Sequence, residues 1–268
     1  MKKRLDVLLV ERGLSPSRER ARRRILAGEA RVNGQTASKA GFLTPVDAHL
    51  ELVGRSLPYA SRGGLKLERA LDVFSADPAG KTILDAGAST GGFTDCLLQR
   101  GAAYVYALDV GYGQLAWKLR NDPRVCPMER VNMRYASREM FERPLQMATA
   151  DLAFIGLTAV LPVFAELLPV GADLIALVKP QFEAGRREVE KGGVVRRKET
   201  HLSTLQRTAA RGADCALEPV ASVHSPIKGP AGNIEFFIHF IRRERPAESA
   251  LPLAETVEEA HRSLNARK

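Results

Sequence analysis

Apolar runs bounded by turn residues recur along the chain from about residue 80 onward, and stretches with helical spacing lie between them. Runs of this kind, apolar throughout, are typical of parallel strands covered on both faces. Strands are predicted to begin at Thr82 and then to occupy 103–109, 124–128, 146–151, 172–179, 217–223 and 234–241. The alternation of strands and helices predicts a Rossmann-like, doubly wound α/β sheet.

The first fifty residues follow a different pattern. Residues 4–12 have the spacing of a short helix that Gly13 ends, and Ser15 is placed to cap a second helix that Gly28 ends. A short strand, the Asn33-Gly34 turn and further strand material to about residue 53 come next. This order predicts a small α+β domain before the larger α/β domain.

Positive charge is concentrated in this N-terminal segment. The chain of 268 residues has a formal net charge of +9, and residues 1–60 contain 12 Lys or Arg against 6 Asp or Glu. The second helix carries the cluster Arg18, Arg20, Arg22, Arg23 and Arg24. Because these guanidinium groups repel one another and phosphates relieve that repulsion, we expect a polyanionic partner. With Phe42 the only aromatic residue in 1–55, stacking on unpaired bases is not the favoured mode there.

The turn after the first predicted strand is rich in glycine and follows an acid, Asp85. Asp85 can meet a cationic group such as the ammonium of S-adenosylmethionine, whereas it would repel a phosphate. A dinucleotide-binding turn needs glycine where this chain has Ser89. Asp109 ends the next strand 24 residues later and is placed to accept ribose hydroxyls. Each feature also occurs in α/β proteins that bind nothing, but together they favour a nucleoside-type cofactor.

The cysteines and the longest apolar tract limit the class of protein. Cys96, Cys126 and Cys215 form no CxxC pair, and no His, Cys and carboxylate cluster has metal-ligand spacing, so neither a disulfide framework nor a metal site is predicted. The tract 157–178 is interrupted by prolines and acids, which disfavours a membrane span. With no signal peptide indicated, a cytoplasmic protein is expected.

Several motifs carry a resemblance to known families. Residues 4–54 resemble an S4 RNA-binding domain through Leu5–Leu9, Arg18–Ile25 and Gly28–Gly34. The whole of about 4–243 resembles the TlyA family of ribosomal RNA 2′-O-methyltransferases, some of them labelled hemolysins, through the motifs Ser61–Leu67, Asp85–Phe93, Asp109–Leu115, Val178–Glu183 and Gly232–Phe237. The resemblance implies an S4 domain joined to an FtsJ/RrmJ-like domain with a class I S-adenosylmethionine-dependent methyltransferase fold.

The same resemblance implies the functional residues. A catalytic tetrad falls on Lys66, Asp151, Lys179 and Glu235, with Lys179 as the candidate base. Without the family pattern, Glu235 would be interpreted as a strand residue that faces water. The cofactor S-adenosylmethionine is expected to contact Asp85, Gly87, Ser89, Gly91, Gly92, Phe93, Asp109 and Asn132, and the arginine cluster of the second helix is expected to contact RNA.

The domain organisation follows from these assignments. We expect an S4 domain over 1–54, a linker over 55–60, the methyltransferase domain over 61–245 and a poorly anchored helix or tail over 246–268. The expected substrate is ribosomal RNA or a ribosomal subunit, with a cytidine as the target by resemblance and a monomer as the favoured state. A noncatalytic RNA-binding assembly factor and a membrane-lysing protein are the alternatives.

Overall fold

The computed structural model describes residues 2–26, 28–37, 39–53, 57–153, 155–185, 188–190, 192–245 and 251–265, with only the backbone described for Arg23 and Asn265. The chain divides into two compact units, Met1–Leu57 and Pro58–Lys268. This division falls within the linker expected over 55–60, of which Arg55 and Ser56 lie outside the described residues.

The first unit is a small α+β domain. Its elements are β1 (Lys2–Arg4), α1 (Leu5–Glu11), α2 (Arg18–Leu26), β2 (Ala30–Val32), β3 (Gln35–Ala37), β4 (Leu43–Pro45) and β5 (Leu50–Leu52). The strands form an antiparallel β1–β4 pair and an antiparallel sheet of order β3-β2-β5. Ala21 and Ile25 of α2 are buried against Leu5 and Leu9 of α1, so each helix contributes an apolar face to one core.

Two local features of this unit follow from turn and cap chemistry. Asn33 and Gly34 both have positive φ, of 50° and 80°, as a two-residue hairpin turn between β2 and β3 requires. The cap of α2 differs from the expected Ser15, because the helix begins only at Arg18. Ser17 Oγ accepts a hydrogen bond from the Arg20 backbone N–H, while Ser15 Oγ donates to the Ser17 carbonyl. Ser17 is therefore the capping residue.

The second unit is built on one seven-stranded sheet. Its strands are β6 (Thr82–Ala86), β7 (Tyr104–Asp109), β8 (Val125–Glu129), β9 (Met147–Ala150), β10 (Asp173–Val178), β11 (Leu217–His224) and β12 (Phe236–Arg242). Its helices are α3 (Gly63–Phe74), α4 (Gly92–Gln99), α5 (Trp117–Arg120), α6 (Leu161–Leu167), α7 (Pro180–Glu183), α8 (Lys198–Asp214) and α9 (Leu253–Asn265). The predicted strands are present and their ends shift by at most two residues.

The sheet has the order β11-β12-β10-β9-β6-β7-β8. Strand β12 runs antiparallel to β10 and β11, and the pairs from β10 to β8 are parallel. Apolar side chains bury both faces of the sheet in two clusters, which explains why the strands are apolar throughout. After β6 the chain forms β7 and β8 on one side of this strand and then returns to form β9 and β10 on its other side. Strand β6 is therefore the topological switch point of the sheet. Ligands of such sheets bind at this point, outside the carboxyl ends of the strands.

The C-terminal segment is anchored, in contrast to the weakly held tail expected over 246–268. Helix α9 buries Leu253, Val257 and Ala260 in the core cluster that also contains β10 and β12 side chains. Residues 246–250 and 266–268 lie outside the described part of the chain. The spacing i, i+4, i+7 places the three apolar residues on one helix face. A helix rich in Ala, Glu and Arg therefore still packs against the core of the second unit.

Polar contacts add a pH-dependent component to this docking. His201 of α8 is fully buried and its Nδ1 lies 2.9 Å from Nε2 of His261 in α9. Burial, reinforced by the neighbouring His261, lowers the pKa of His201 to about 4. This hydrogen bond needs at least one of the two rings to be neutral, because one ring nitrogen must accept the proton that the other donates.

Acid is expected to weaken the fold through His201. An unfolded His201 takes up a proton near pH 6.5, whereas the folded side chain resists protonation until about pH 4. Its contribution to the free energy of unfolding is therefore present above about pH 6.5 and is lost as the pH falls towards about 4. Urea unfolding at several pH values is expected to show a shallower acid decline in His201→Phe than in the wild type. Equal declines would contradict the assignment.

Candidate active site

The glycine-rich turn after β6 lies directly against the end of β9. Gly87 has a φ of +87°, and a Cβ at this position would lie 2.5 Å from the backbone oxygen of Asp151. Gly91, with a φ of +90°, is the residue before α4, and a Cβ there would overlap Leu119. Only glycine satisfies both the positive φ and the close approach. The turn is thus held within contact distance of one of the predicted catalytic residues.

Asp85 lies beneath this turn rather than at its surface. Its carboxylate is fully buried and accepts hydrogen bonds from Thr94 Oγ1 at 2.6 Å and Thr149 Oγ1 at 3.1 Å. Burial raises the pKa of Asp85 to about 7, although the two hydroxyls oppose the shift. The expected direct contact with a ligand ammonium does not match this position. In this structure Asp85 joins β6, α4 and β9 under the turn.

The buried Asp85 carboxyl gives a second pH-dependent prediction, opposite in sign to that for His201. Between about pH 4 and about pH 7 the folded protein holds a proton on Asp85 that the unfolded chain has lost. The contribution of Asp85 to the free energy of unfolding therefore falls as the pH rises through this window. Asp85→Asn removes the titration, so the difference in unfolding free energy between variant and wild type is expected to shift in favour of the variant from pH 4 to pH 7. A difference independent of pH would contradict this prediction.

Asp109 ends β7 beside the turn and is partly exposed. Its two carboxylate oxygens accept hydrogen bonds from the backbone N–H groups of Ser89, at 2.8 Å, and Gly111, at 2.6 Å. A carboxylate has about four acceptor positions, so both oxygens keep capacity for a further donor such as a ribose hydroxyl. Ser89 is exposed with a φ of +47°, and its hydroxyl donates to Gln114 Oε1. Asp109 and Ser89 together form a polar wall at the sheet's switch point.

Gly92 and Phe93 contribute to the packing around the glycine-rich turn. A Cβ on Gly92 would lie 2.2 Å from Ser61 Oγ, so this glycine lets α4 pack closely on the start of α3. The Phe93 side chain is buried in the core and stacks on Phe237 with a centroid distance of 6.1 Å. The Phe93 ring therefore completes the core, and the expected contact of this residue with the cofactor stays a prediction.

Asn132 follows β8 on the same edge of the sheet. Its Oδ1 accepts the Arg134 backbone N–H at 3.0 Å and caps a 3₁₀ turn at Met133–Tyr135. The preceding residue, Val131, donates its N–H to the Asp109 carbonyl. Asn132 is exposed and therefore lies in the loop next to Asp109, where its amide stabilises the loop conformation.

The four tetrad residues form two close ion pairs. Lys66 Nζ lies 2.5 Å from Glu235 Oε2, and Lys179 Nζ lies 2.6 Å from Asp151 Oδ1. Lys66 and Glu235 are both buried, with Glu235 only 1% exposed. This burial contradicts the interpretation of Glu235 as a strand residue facing water.

Sheet register explains how residues so distant in the chain share one edge. Asp151 directly follows β9, Lys179 directly follows β10, and Glu235 directly precedes the antiparallel β12. Val178 pairs with Phe236, so the next positions, Lys179 and Glu235, lie opposite each other. Since neighbouring strands are about 4.8 Å apart, the three side chains lie at adjacent strand ends, and Lys66 reaches Glu235 from α3.

Sequence reasoning missed the residues that hold Glu235 in place. The buried Asn233 accepts the Val195 N–H at its Oδ1 and donates from Nδ2 to the Gly193 carbonyl, both at 2.9 Å. Gly229 packs on the Glu235 carboxylate, since a Cβ there would lie 2.4 Å from Oε1. The only sequence signal was the motif that contains Asn233, which marked a strand entry but gave this side chain no partner.

The arginine cluster of α2 divides into paired and exposed members. Arg18 contacts the buried Asp6 at 3.2 Å, and the partly buried Arg24 contacts Glu29 at 2.8 Å. Arg20 and Arg22 are exposed. The side chain of Arg23 lies outside the described residues. The paired members stabilise the unit, so Arg20 and Arg22 are better placed to meet an external phosphate.

The chain is similar to known proteins along its whole length. The model of the FtsJ-like methyltransferase family matches residues 59–242, and that of the S4 domain matches residues 3–46. YqxC of Bacillus subtilis is 48% identical over 100% of this chain and 97% of its own length. The 16S/23S rRNA (cytidine-2′-O)-methyltransferase TlyA of Mycobacterium tuberculosis is 43% identical over 98% of this chain and 97% of its own.

A solved structure supports the same grouping. A protein described as a hemolysin from Streptococcus thermophilus superposes with a TM-score of 0.80 at 42% identity, over 99% of this chain and 98% of its own. Among the helices that the structure describes, none is both long and apolar enough to cross a membrane. The predicted fold class and methyltransferase class, for which S-adenosylmethionine is the cofactor, are confirmed. The chain therefore belongs to the TlyA (hemolysin A) family, in which an S4 domain precedes an FtsJ-like methyltransferase domain.

Proposed function

We propose that this protein transfers a methyl group from S-adenosylmethionine to the ribose 2′-hydroxyl of a cytidine in ribosomal RNA. The observation that carries the proposal is the pair of ion pairs, Lys179–Asp151 and Lys66–Glu235, at the strand ends beside the glycine-rich turn. The activity in the name of the Mycobacterium tuberculosis relative supports the choice of substrate.

The residues at the switch point fit the cofactor. Asp109 has acceptor capacity for ribose hydroxyls, Gly87 allows backbone to approach a ligand, and Ser89 leaves no glycine for a pyrophosphate. Asn132 stabilises the neighbouring loop, and Asp85 supports the turn from below. S-adenosylmethionine, when bound, supplies a methyl group that its sulfonium already activates. The protein must therefore orient the acceptor hydroxyl and remove its proton.

Lys179 is the group that removes the proton. In its neutral form the amine accepts the hydroxyl hydrogen, and the ribose oxygen becomes the nucleophile. Asp151, 2.6 Å from Lys179 Nζ, stabilises the ammonium that forms and fixes its position. Both charges are largely shielded from water at the end of the sheet, where their interaction is stronger than at an exposed site.

Lys66 and Glu235 have a supporting part in this proposal. Glu235 lies opposite Lys179 in the register of β10 and β12 and is neutralised by Lys66. A carboxylate at this position favours a cation on Lys179, whereas the Lys66 ammonium disfavours it. The pair therefore balances the electrostatic environment of the base while it joins α3 to the start of β12.

The N-terminal unit supplies affinity for structured RNA. The S4 family model and the exposed Arg20 and Arg22 support contacts with the phosphate backbone. Such contacts position a structured RNA without reading its sequence, so the choice of nucleotide falls to the second unit.

The test is a transfer assay on ribosomal subunits. The purified full chain is incubated with labelled S-adenosylmethionine and each subunit from a strain that lacks this modification. The RNA is then digested to nucleosides and analysed by mass spectrometry. We expect label in 2′-O-methylcytidine. Label on a base, or no label with either subunit, would contradict the proposal.

A further inference from the structure

Three aromatic side chains are strongly exposed on the edge of the sheet that carries Asp109. Tyr112 is 69% exposed, Trp117 71% and Tyr135 78%. Burying a large aromatic ring is favourable. Three solvent-exposed aromatic rings beside the candidate active site therefore indicate a ligand-binding surface. We call Tyr112, Trp117 and Tyr135 the aromatic rim.

Hydrogen bonds tie the segments of the rim into one surface. Glu129 Oε1 accepts the Gly113 backbone N–H at 2.8 Å and also bonds the guanidinium of Arg120, in the helix that starts at Trp117. The Arg130 backbone N–H donates to the Gly111 carbonyl, and its guanidinium lies 4.3 Å from the centre of the Tyr112 ring.

Tyr135 belongs to the same surface through the loop that follows β8. It ends the 3₁₀ turn at Met133–Tyr135 that Asn132 caps, and the start of this loop is joined to Asp109 by the Val131 hydrogen bond. The rim therefore borders the polar wall of the candidate cofactor site.

The positive charge around the aromatic rim indicates the chemical class of its partner. Residues 110–138 contain six Lys or Arg and two Asp or Glu. Both acids are neutralised locally, since Asp122 pairs with Arg124 and Glu129 with Arg120. Arg130 and Arg134 are exposed and leave a surplus of positive charge beside the rings. Aromatic faces flanked by arginines suit a polyanion with planar groups.

We infer that the aromatic rim stacks unpaired bases of the substrate RNA next to the nucleotide to be methylated. The inference rests on the proposed function and adds the mode of substrate binding to it. A base must leave its helix for its ribose to enter a recessed site, and stacking its unpaired neighbours stabilises that opened state. The first unit, with Phe42 as its only aromatic residue, binds phosphates, whereas the rim binds bases.

Trp117 is the only tryptophan of the chain, so its fluorescence reports on the rim alone. We expect a single-stranded oligoribonucleotide to quench the fluorescence of the full chain more strongly than a duplex of the same length. Equal quenching by both, or quenching by anionic phospholipid vesicles and not by RNA, would overturn the inference.

Binding of a dye-labelled single strand, followed by anisotropy, gives the second readout. Trp117→Ala and Tyr135→Ala are each expected to weaken binding roughly tenfold, and Trp117→Phe to retain most of it. Val170→Ala is the control, because Val170 is also an exposed apolar residue. It precedes β10 and therefore lies at the amino ends of the parallel strands, away from the carboxyl ends where the rim lies. Unchanged binding by the two rim variants would overturn the inference.

Cofactor affinity separates the rim from the cofactor site. Trp117→Ala and Tyr135→Ala are expected to bind S-adenosylmethionine as the wild type does. A loss of cofactor affinity with RNA binding intact would assign these rings to the cofactor site and overturn the inference. Since no readout requires turnover, a failure of the proposed function appears separately, as rim-dependent RNA binding without methyl transfer.

Discussion

Lys179→Ala is expected to slow methyl transfer by about 10²–10⁴-fold, the range that a positioned general base contributes. The lysine directly follows β10 and its amine is held 2.6 Å from Asp151. Removing it leaves the hydroxyl proton without an acceptor, while the glycine-rich turn and Asp109 are untouched. Single-turnover transfer to the ribosomal subunit measures the rate, and equilibrium dialysis measures the affinity for S-adenosylmethionine.

Lys198→Ala is the matched control for this experiment. Lys198 also forms an ion pair, 2.6 Å from Glu258, but on the exposed surface of α8 and α9. Its loss is expected to change the transfer rate by less than about twofold, since an exposed pair of this kind contributes little to stability and lies outside the candidate active site. A Lys179→Ala rate equal to that of this control would remove Lys179 from the mechanism.

Glu235→Ala is expected to lower the free energy of unfolding by about 3–5 kcal/mol, the cost of leaving a buried charge unpaired. Glu235 is the partner of Lys66, which is itself buried in α3. Urea unfolding, followed by circular dichroism, measures the change. Glu258→Ala, which breaks the exposed pair with Lys198, is expected to lower the free energy of unfolding far less than Glu235→Ala does.

The double variant Lys66→Met/Glu235→Leu distinguishes an unpaired charge from lost packing. Because apolar residues of similar size often replace a buried ion pair without loss, the double variant is expected to be more stable than Glu235→Ala. It should nevertheless be impaired in methyl transfer, because the polar link between α3 and the start of β12, the strand beside Lys179, is gone. A double variant less stable than Glu235→Ala would show that the pair contributes more than mutual neutralisation.

The sheet was predictable because its strands are buried on both faces and bounded by glycine, proline and charged residues. Asp151 and Lys179 could be recognised for the same reason, since each is a charged residue that directly follows an apolar strand. Glu235 could not be, because its environment depends on Lys66, 169 residues away in the chain, and on the antiparallel insertion of β12. Only the family resemblance placed it in the site.

Other differences from the sequence prediction have similar causes. The carboxylate of Asp85, in the glycine-rich motif, is covered by Thr94 and Thr149. The amino-acid sequence alone does not show whether a carboxylate lies under a turn or on its ligand-binding side. Phe93 directly follows the glycines in the sequence, but its ring fills the core. Helix α9 is anchored through three apolar positions within a charged sequence, and its surroundings come from α8 and β11.

In the proposed mechanism, Asp151, Lys179 and Glu235 at the strand ends act together with Lys66 of α3, and Lys179 removes the proton of a ribose hydroxyl. The most direct measurement is the yield of 2′-O-methylcytidine from ribosomal RNA with the variants Lys66→Ala, Asp151→Ala, Lys179→Ala and Glu235→Gln, each at saturating S-adenosylmethionine. We predict that all four lose most of the product per molecule of folded protein, with Lys179→Ala lowest, while the affinity of the folded fraction for S-adenosylmethionine persists. Wild-type yields from Lys179→Ala and Asp151→Ala, or a methyl group on the base, would contradict the claim.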